Sequence, residues 1–521
     1  MKSRLRSPIP RSADTVRAVS ALYRRLSSSF CGILIVLLGL TTGISRAEPE
    51  RSRFAAGGYF RVMTRPDLQG GNGKLGYWNL HGRLLNEGPW AALELRLDLV
   101  PEQPGRIEPW TSVHAKIEGG SVSNATPDNG SLAGLRLSQL YARAGHVGLA
   151  DVVWQLGTLD YYFGDLGLYD LKPAQLFFET VGLSARYKKG DVDLLVGVGD
   201  SGFWLRREQY NTVLTAGAAL RLKLADRFEL GLGGQMLYEP QVDGNRLAPH
   251  STPGLDYERV IRGEVISRYD EENPSELEDF PTPLARSALG WKAIFYLGFG
   301  AGPLRWNNLF AKIERRLPDQ FVTETFEGRD FVLHVGDLTD ERTSIQIGNE
   351  AHFSLIDRRL ELVWSVLFGV DTDADNDITP TDFDRTYYST VMRLQGFVTD
   401  ELHLLLETSL ARERSHNGNA FRSFGDSVFR STEGITDARG LEFGDSDTRD
   451  TWQLKVGPVL SPLGVGAWAR PSFRLLYGLQ WSSQINAFGN SFVESLDQLN
   501  QYGAPNQRWH HLIALEVEAW F

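Results

Sequence analysis

The chain closes on His511-Leu-Ile-Ala-Leu-Glu-Val-Glu-Ala-Trp-Phe521, and the last eight of these residues alternate strictly. Leu515, Val517, Ala519 and Phe521 fall on one face, and Ala514, Glu516, Glu518 and Trp520 on the other. Side chains of a strand point to opposite faces in turn, so this pattern suits a strand with hydrocarbon on one side and water on the other. An aromatic at the end of such a strand is the mark of an outer-membrane β-barrel. The same parity puts Trp520 on the wet face, where an indole has a use if the lumen supplies one.

Working back to the other end, Met1 to Ala47 has a basic opening (Lys2, Arg4, Arg6, Arg11, Arg17, Arg24, Arg25), a short apolar run Ile33 to Leu40 and the small-residue exit Ser45-Arg46-Ala47. It reads as an export signal over 1–47, with the barrel as one domain over 48–521. The apolar run is too short to span a bilayer. Cys31, the one cysteine, falls within the signal, so the remainder has no disulfide framework and no Cys-based metal site. Removing the signal takes away eight basic residues and one acidic one, leaving 46 against 64, a formal charge of −18. That balance argues against a nucleic-acid partner.

No later stretch is long and uncharged enough for a spanning helix, but alternating lipid-facing and lumen-facing residues average hydropathy away in a barrel. Eighteen alternating segments can be laid out: 54–63, 75–85, 90–100, 136–146, 151–160, 180–188, 191–199, 212–223, 227–238, 289–300, 303–314, 343–355, 358–370, 386–398, 400–413, 450–460, 470–482 and 510–521. Their connections alternate between tight turns (86–89, 188–191, 300–303, 399–400) and long polar loops (101–135, 239–288, 315–342, 414–449, 483–509). The expected fold is therefore all-β: a transmembrane antiparallel β-barrel of about 18 strands in the outer membrane of a Gram-negative bacterium, with short periplasmic turns, long extracellular loops and lipid around it. A soluble sandwich or propeller does not produce that rhythm.

Parity assigns each side chain to lipid or lumen. The first strand turns Tyr59 and Arg61 inward. The second puts Trp78, Leu80 and Leu84 outward and Tyr77, Asn79, His81 and Arg83 inward. The third puts Trp90, Glu94, Arg96 and Asp98 inward, and a late strand adds Ser472, Arg474 and Gln480. First and last strands pair when a barrel closes, so Tyr59 and Trp520 are expected to be neighbours. Ring faces beside mixed donors and acceptors suit a sugar, whose C–H face packs on the ring while its hydroxyls exchange water for arginine and carboxylate. The alternative is that Trp90 and Trp520 are girdle residues near a rim.

The residues so collected resemble the maltoporin family of sugar-specific outer-membrane porins. Gly58-Tyr-Phe-Arg61 is similar to the family's first-strand Gly-Tyr-x-Arg, Arg83 with Asn86-Glu87 and Glu94-Leu-Arg-Leu97 to its second hairpin, and Glu518-Ala-Trp-Phe521 to its terminus. Ala469-Arg-Pro-Ser-Phe-Arg474, and Gly290-Trp291 with Trp306-Asn307, resemble further strands. Gly157 to Asp170 is similar to the start of the family's pore-folded loop. The resemblance implies a homotrimer passing sugars passively. It makes Tyr59 and Trp520 stacking residues, with Trp90 substituting on its lumen parity, and Arg61, Arg83, Glu94 and Asp170 hydroxyl partners, with loop 161–179, carrying Asp165, Tyr169 and Lys172, setting the bore. The family's slide positions fall here on Ala92, Val398 and near Ala293, and its constricting Tyr on Lys172. Those departures favour the alternative of a general or other-solute porin on the same scaffold.

Asp371, Asp373, Asp375 and Asp377, with Asp382, space carboxylates as an EF-hand loop does, so a structural Ca²⁺ is one reading and an ordinary acidic loop the other. No nucleophile-elbow motif accompanies the serines and histidines, so the chain reads as no enzyme, with an outer-membrane hydrolase or adhesin the remote alternative.

Overall fold

The computed structural model describes residues 52–64, 68, 78–103, 107–120, 135–205, 212–240, 287–317, 321–326, 329–334, 343–372, 385–415, 448–483 and 509–521. The expected signal over 1–47 lies outside them. Eighteen strands form one sheet that closes on itself, since the first strand pairs antiparallel with both the second and the last. In chain order they are β1 (Phe54–Thr64), β2 (Trp90–Val100), β3 (Trp110–Gly120), β4 (Arg136–Gly145), β5 (Val152–Tyr162), β6 (Gln175–Lys189), β7 (Val192–Asp200), β8 (Leu214–Ala225), β9 (Phe228–Glu239), β10 (Ala288–Ala301) and β11 (Leu304–Arg315). The hairpin β12 (Phe321–Phe326) and β13 (Arg329–His334) forms a separate two-stranded sheet. The wall resumes with β14 (Thr343–Ile356), β15 (Leu360–Thr372), β16 (Arg385–Phe397), β17 (Leu402–Ser415), β18 (Thr448–Leu460), β19 (Ser472–Ser482) and β20 (Trp509–Trp520).

Connections on one rim run from the two-residue turn 190–191 to 461–471, and on the other from 163–174 to 240–287. The chain enters β1 and leaves β20 at the short-turn rim. Gly190 and Gly302 occupy positive φ in two of the tightest turns, a conformation that matches strand twist and that side-chain-bearing residues resist. Outward positions are apolar and exposed, as along Phe473, Leu475, Ile513 and Leu515. Trp452, Trp481 and Trp509 cluster at the long-loop end of β18, β19 and β20, with ring centroids 6.2 and 6.3 Å apart, as an interfacial girdle.

The strand count agrees with the sequence reading, yet two segments exchange places. Of the expected strand 75–85, the described residues 78–85 are no strand: Trp78–His81 is one helical turn, α1, and the chain from there to Pro89 is buried inside the barrel. Leu80 and Leu84, expected toward lipid, are 2% and 3% exposed within the lumen. Positive φ at Gly82 and Leu85 breaks the extended conformation there. The missing strand is β3, inside the stretch expected as loop 101–135. It alternates Val113, Ala115 and Ile117 outward with Ser112, His114, Lys116 and Glu118 inward, so its signal was present. One consequence is that β2 runs antiparallel to β1, and 86–89 is not a hairpin turn.

Inside the wall, three connections fill the side of the barrel lined by β9 to β20. From the long-loop rim come 78–89 and 163–174; from the short-turn rim comes 461–471. Their apolar side chains, among them Leu80, Leu166, Leu168, Tyr169, Phe163 and Ala467, join one buried cluster with inward residues of the wall. Leu84 and Leu85 join another with Leu405, Val459, Leu476, Leu512 and Ala514. The polar inner wall behind them is also buried and therefore has to be paired. Lys455 donates to the His81 carbonyl (3.0 Å) and to Glu407 (2.8 Å), which also accepts from Arg393 at 2.6 Å. Asn86 Nδ2 donates to the Gly82 carbonyl (2.7 Å) and to Gln453 Oε1 (3.2 Å).

Candidate functional site

The loop that narrows the lumen is held by its backbone. Glu350, inward on β14, accepts the amides of Gly167 (3.0 Å) and Leu168 (2.8 Å), and Asn308 donates to the Asp165 carbonyl at 2.9 Å. Tyr169, expected at the constriction surface, is instead fully buried, its hydroxyl donating to Ser389 at 3.1 Å. It anchors the loop because the φ of +52° at Asp170 turns the chain there and leaves Asp170, not Tyr169, toward the bore. The amide of Arg83 donates to the Leu168 carbonyl at 2.7 Å, tying the two inserted segments together.

Between these segments and the wall of β1 to β6 lies a cavity of about 850 Å³. Tyr59, Arg61, Arg83, Trp90, Glu94, Asp170, Lys172 and Trp520 all line it, so eight of the ten side chains singled out from the sequence meet in one place. Asp165 and Tyr169 do not line it. Asp371 lies inward at the end of β15, where Ser344 donates to it, while Asp373, Asp375, Asp377 and Asp382 lie outside the described residues. Among the described residues no group of three or more His, Cys, Asp or Glu is placed to hold a metal ion.

At the seam, Tyr59 and Trp520 are register partners, with ring centroids 6.4 Å apart and planes at 46°. The Tyr59 hydroxyl donates to Glu518 (3.0 Å) and accepts from Arg83 (3.0 Å) and Arg61 (3.3 Å), so its bonding capacity is spent and only its ring face remains for a solute. Trp520 is 58% exposed although its neighbours of like parity, Glu516 and Glu518, are buried. Phe178 adds a ring to the same cavity at 51% exposure. Strand parity did not single it out, because the positive φ at Phe177 and Glu179 on either side disrupts the alternation.

The charges of the lining are mostly neutralised in pairs. Arg83 contacts Glu518 at 2.7 Å, Lys116 contacts Glu118 at 2.8 Å, and Arg136 contacts Glu179 at 3.0 Å, while Arg61 contacts Glu87, which is a hydrogen-bonding partner and not a counter-charge when protonated. Lys172 stands over the Tyr162 ring, its Nζ 4.3 Å from the centroid. On the inserted segments the Glu87 and Asp170 carboxyl groups both lie beside Arg83, which stands 3.5 Å from Glu87 and 4.0 Å from Asp170. Burial pushes Glu87 up to about 8, against the pull of Arg61 and Arg83, so Glu87 stays protonated at neutral pH. Burial would raise Asp170 too, but Arg83, the neighbouring Glu87, Arg61 and Lys172 outweigh it and hold that carboxyl below its ordinary range.

No family model matches the chain, and no curated protein matches it. Among solved structures it is similar to OprD of Pseudomonas aeruginosa, at 8% identity over 91% of this chain and 97% of that one, with a TM-score of 0.40. It is similar also to Wzi of Escherichia coli, an outer-membrane protein involved in group 1 capsule assembly and described as a carbohydrate-binding β-barrel (10% identity, 89% and 84% covered, TM-score 0.38). A third is the loop L8 deletion mutant of OmpT, an outer-membrane protein of Vibrio cholerae (7% identity, 90% and 100% covered, TM-score 0.37). Likeness at this level says nothing of what the lumen binds. The closed register, with every inner strand edge paired and an apolar exterior, carries the placement: only closed barrels and helices satisfy their backbone in lipid. This is a barrel of the Gram-negative outer membrane.

Proposed function

We propose that the chain is an outer-membrane porin through which sugars diffuse down their gradient, stacking in turn on Tyr59, Trp90 and Trp520. The observation that carries this reading is one cavity that joins aromatic faces to charges already paired with one another. Its volume lies within the range of ~300–1,000 Å³ typical of small-ligand clefts. Paired charges present hydrogen-bonding atoms without a strong net field, which suits a neutral polyhydroxylated solute better than an ion. Contacts of this kind are individually weak, as passage requires. The resemblance to maltoporins supports the same reading and adds a homotrimer.

The second reading is a general porin, favoured by Lys172 beside the bore where that family has a tyrosine. Both are tested by reconstituting the protein in a planar bilayer and titrating ion conductance with glucose, sucrose and maltodextrins of rising length. Saturable block that strengthens with chain length and weakens in Trp520→Ala supports the sugar channel. Ohmic conductance indifferent to every sugar supports the general porin, and the absence of any conductance overturns both.

A further inference from the structure

Most polar groups of the cavity wall are engaged with one another, and Glu94 stands exposed with Lys116 4.0 Å away. Tyr59 hydroxyl, Arg61, Lys116 and Arg136 are engaged as described. Ser138 donates to the Lys116 carbonyl at 3.3 Å, and Thr158 is bonded to both the amide and the carbonyl of Leu140. What differs is Asp160, whose partners are two amides rather than a cation. Gln139 Nε2 donates to its Oδ2 at 3.3 Å and Gln175 Nε2 to its Oδ1 at 2.8 Å. A carboxylate has about four acceptor positions, so two remain, and each glutamine keeps a second N–H and a carbonyl oxygen.

Three adjacent strands supply this group, and two irregularities aim it. The register shifts between Leu159 and Tyr161 where β5 meets β6, and between Lys116 and Ile117 where β3 meets β4. A bulge re-aims the side chains beside it, so consecutive residues can share a face. Accordingly Leu159 with Asp160, and Ser138 with Gln139, line the same cavity in sequence. Strict alternation would have sent one member of each pair to lipid.

Resting on the sugar-channel reading, we infer that Gln139, Asp160 and Gln175 form the subsite that reads sugar hydroxyls: while the aromatic faces of Tyr59, Trp90 and Trp520 hold the ring of a neutral sugar, the Asp160 carboxylate accepts from two vicinal hydroxyls and the glutamine amides meet their oxygens. The aromatic side offers faces with little free bonding capacity, and this wall offers the complementary edge chemistry. The glutamines hold the carboxylate in one orientation, so its two free positions are presented together and a diol is preferred to a single hydroxyl.

The test is ion-current block in planar bilayers by maltotriose, and by glucose against 2-deoxyglucose and 3-deoxyglucose, for the wild type, Asp160→Asn, Gln139→Leu and Gln175→Leu. Folding of each variant is checked by heat-modifiable gel mobility, and the reversal potential is read in a KCl gradient. Asp160→Asn is expected to weaken maltotriose block about ten-fold, the scale of one hydrogen bond to a charged group, and to erase the wild-type preference for glucose over its deoxy forms. Each glutamine variant is expected to move the same way. Unchanged block with a shifted reversal potential would show Asp160 to act on ions alone and would overturn the inference. A wild-type channel that no sugar blocks would instead overturn the sugar reading itself, and the inference with it.

Discussion

Tyr59 and Trp520 meet across the seam that closes the barrel, one from the first strand and one from the last, with ring centroids 6.4 Å apart. Their separation in sequence is nearly the whole described chain, so this aromatic surface exists only once the barrel has closed. The Tyr59 hydroxyl is tied to Glu518 and Arg83, which fixes the position of the ring. Tyr59→Ala is expected to weaken sugar block about five-fold, the scale of ~1 kcal/mol for one aromatic face. Tyr59→Phe keeps that face and should change block far less. Equal losses in the two variants would move the role from the ring to the hydroxyl.

Glu407 stands between Arg393 and Lys455, and all three are buried behind the inserted segments. Glu407→Ala leaves two buried cations without their counter-charge, which costs about 3–5 kcal/mol. The expected result is a lower midpoint in urea unfolding followed by gel mobility. Lys455→Met, which removes one cation and leaves Glu407 paired with Arg393, is expected to cost less.

Glu350 fastens the pore-narrowing loop through two backbone amides. With Glu350→Ala those amides lose their acceptor, at about 1–3 kcal/mol each if they stay buried. The loop is therefore expected to leave its seat, giving larger and noisier single-channel currents. Currents identical to the wild type would show that the apolar cluster around Leu166, Leu168 and Tyr169 holds the loop unaided.

The protonated Glu87 beside an ionised Asp170 sets a pH dependence. Glu87 is raised to about 8 and Asp170 is held low, so the pair carries one negative charge at neutral pH and two once Glu87 ionises. Cation selectivity of the channel is expected to rise as pH passes upward through about 8, and Glu87→Gln to abolish that rise. A reversal potential flat from neutral to alkaline pH in the wild type would refute a protonated Glu87 at neutral pH.

Alternation along single segments was enough to identify a membrane barrel and the inward face of Tyr59, Trp90, Glu94 and Trp520, and it reached the strand number with one segment misplaced and one missed. The reason is local: a strand has period two, and lipid on one side forces every second residue to be apolar. The same rule misled at 75–85, where Leu80 and Leu84 imitate a lipid face but bury themselves in the lumen against β14 to β20. The partners of that segment's backbone, among them Lys455 for the His81 carbonyl and Ser389 for the Leu80 carbonyl, lie hundreds of residues away, so no local pattern distinguishes an inserted segment from a strand. Asp160 and Gln139 escaped for a related reason, since a bulge is set by the register between two strands and not by either strand alone. By itself the sequence determined which residues could face water inside a barrel. Only the tertiary structure decided which side of that lumen stays open, because the connections that fill the other side are held by long-range hydrogen bonds and ion pairs that form when the wall is complete.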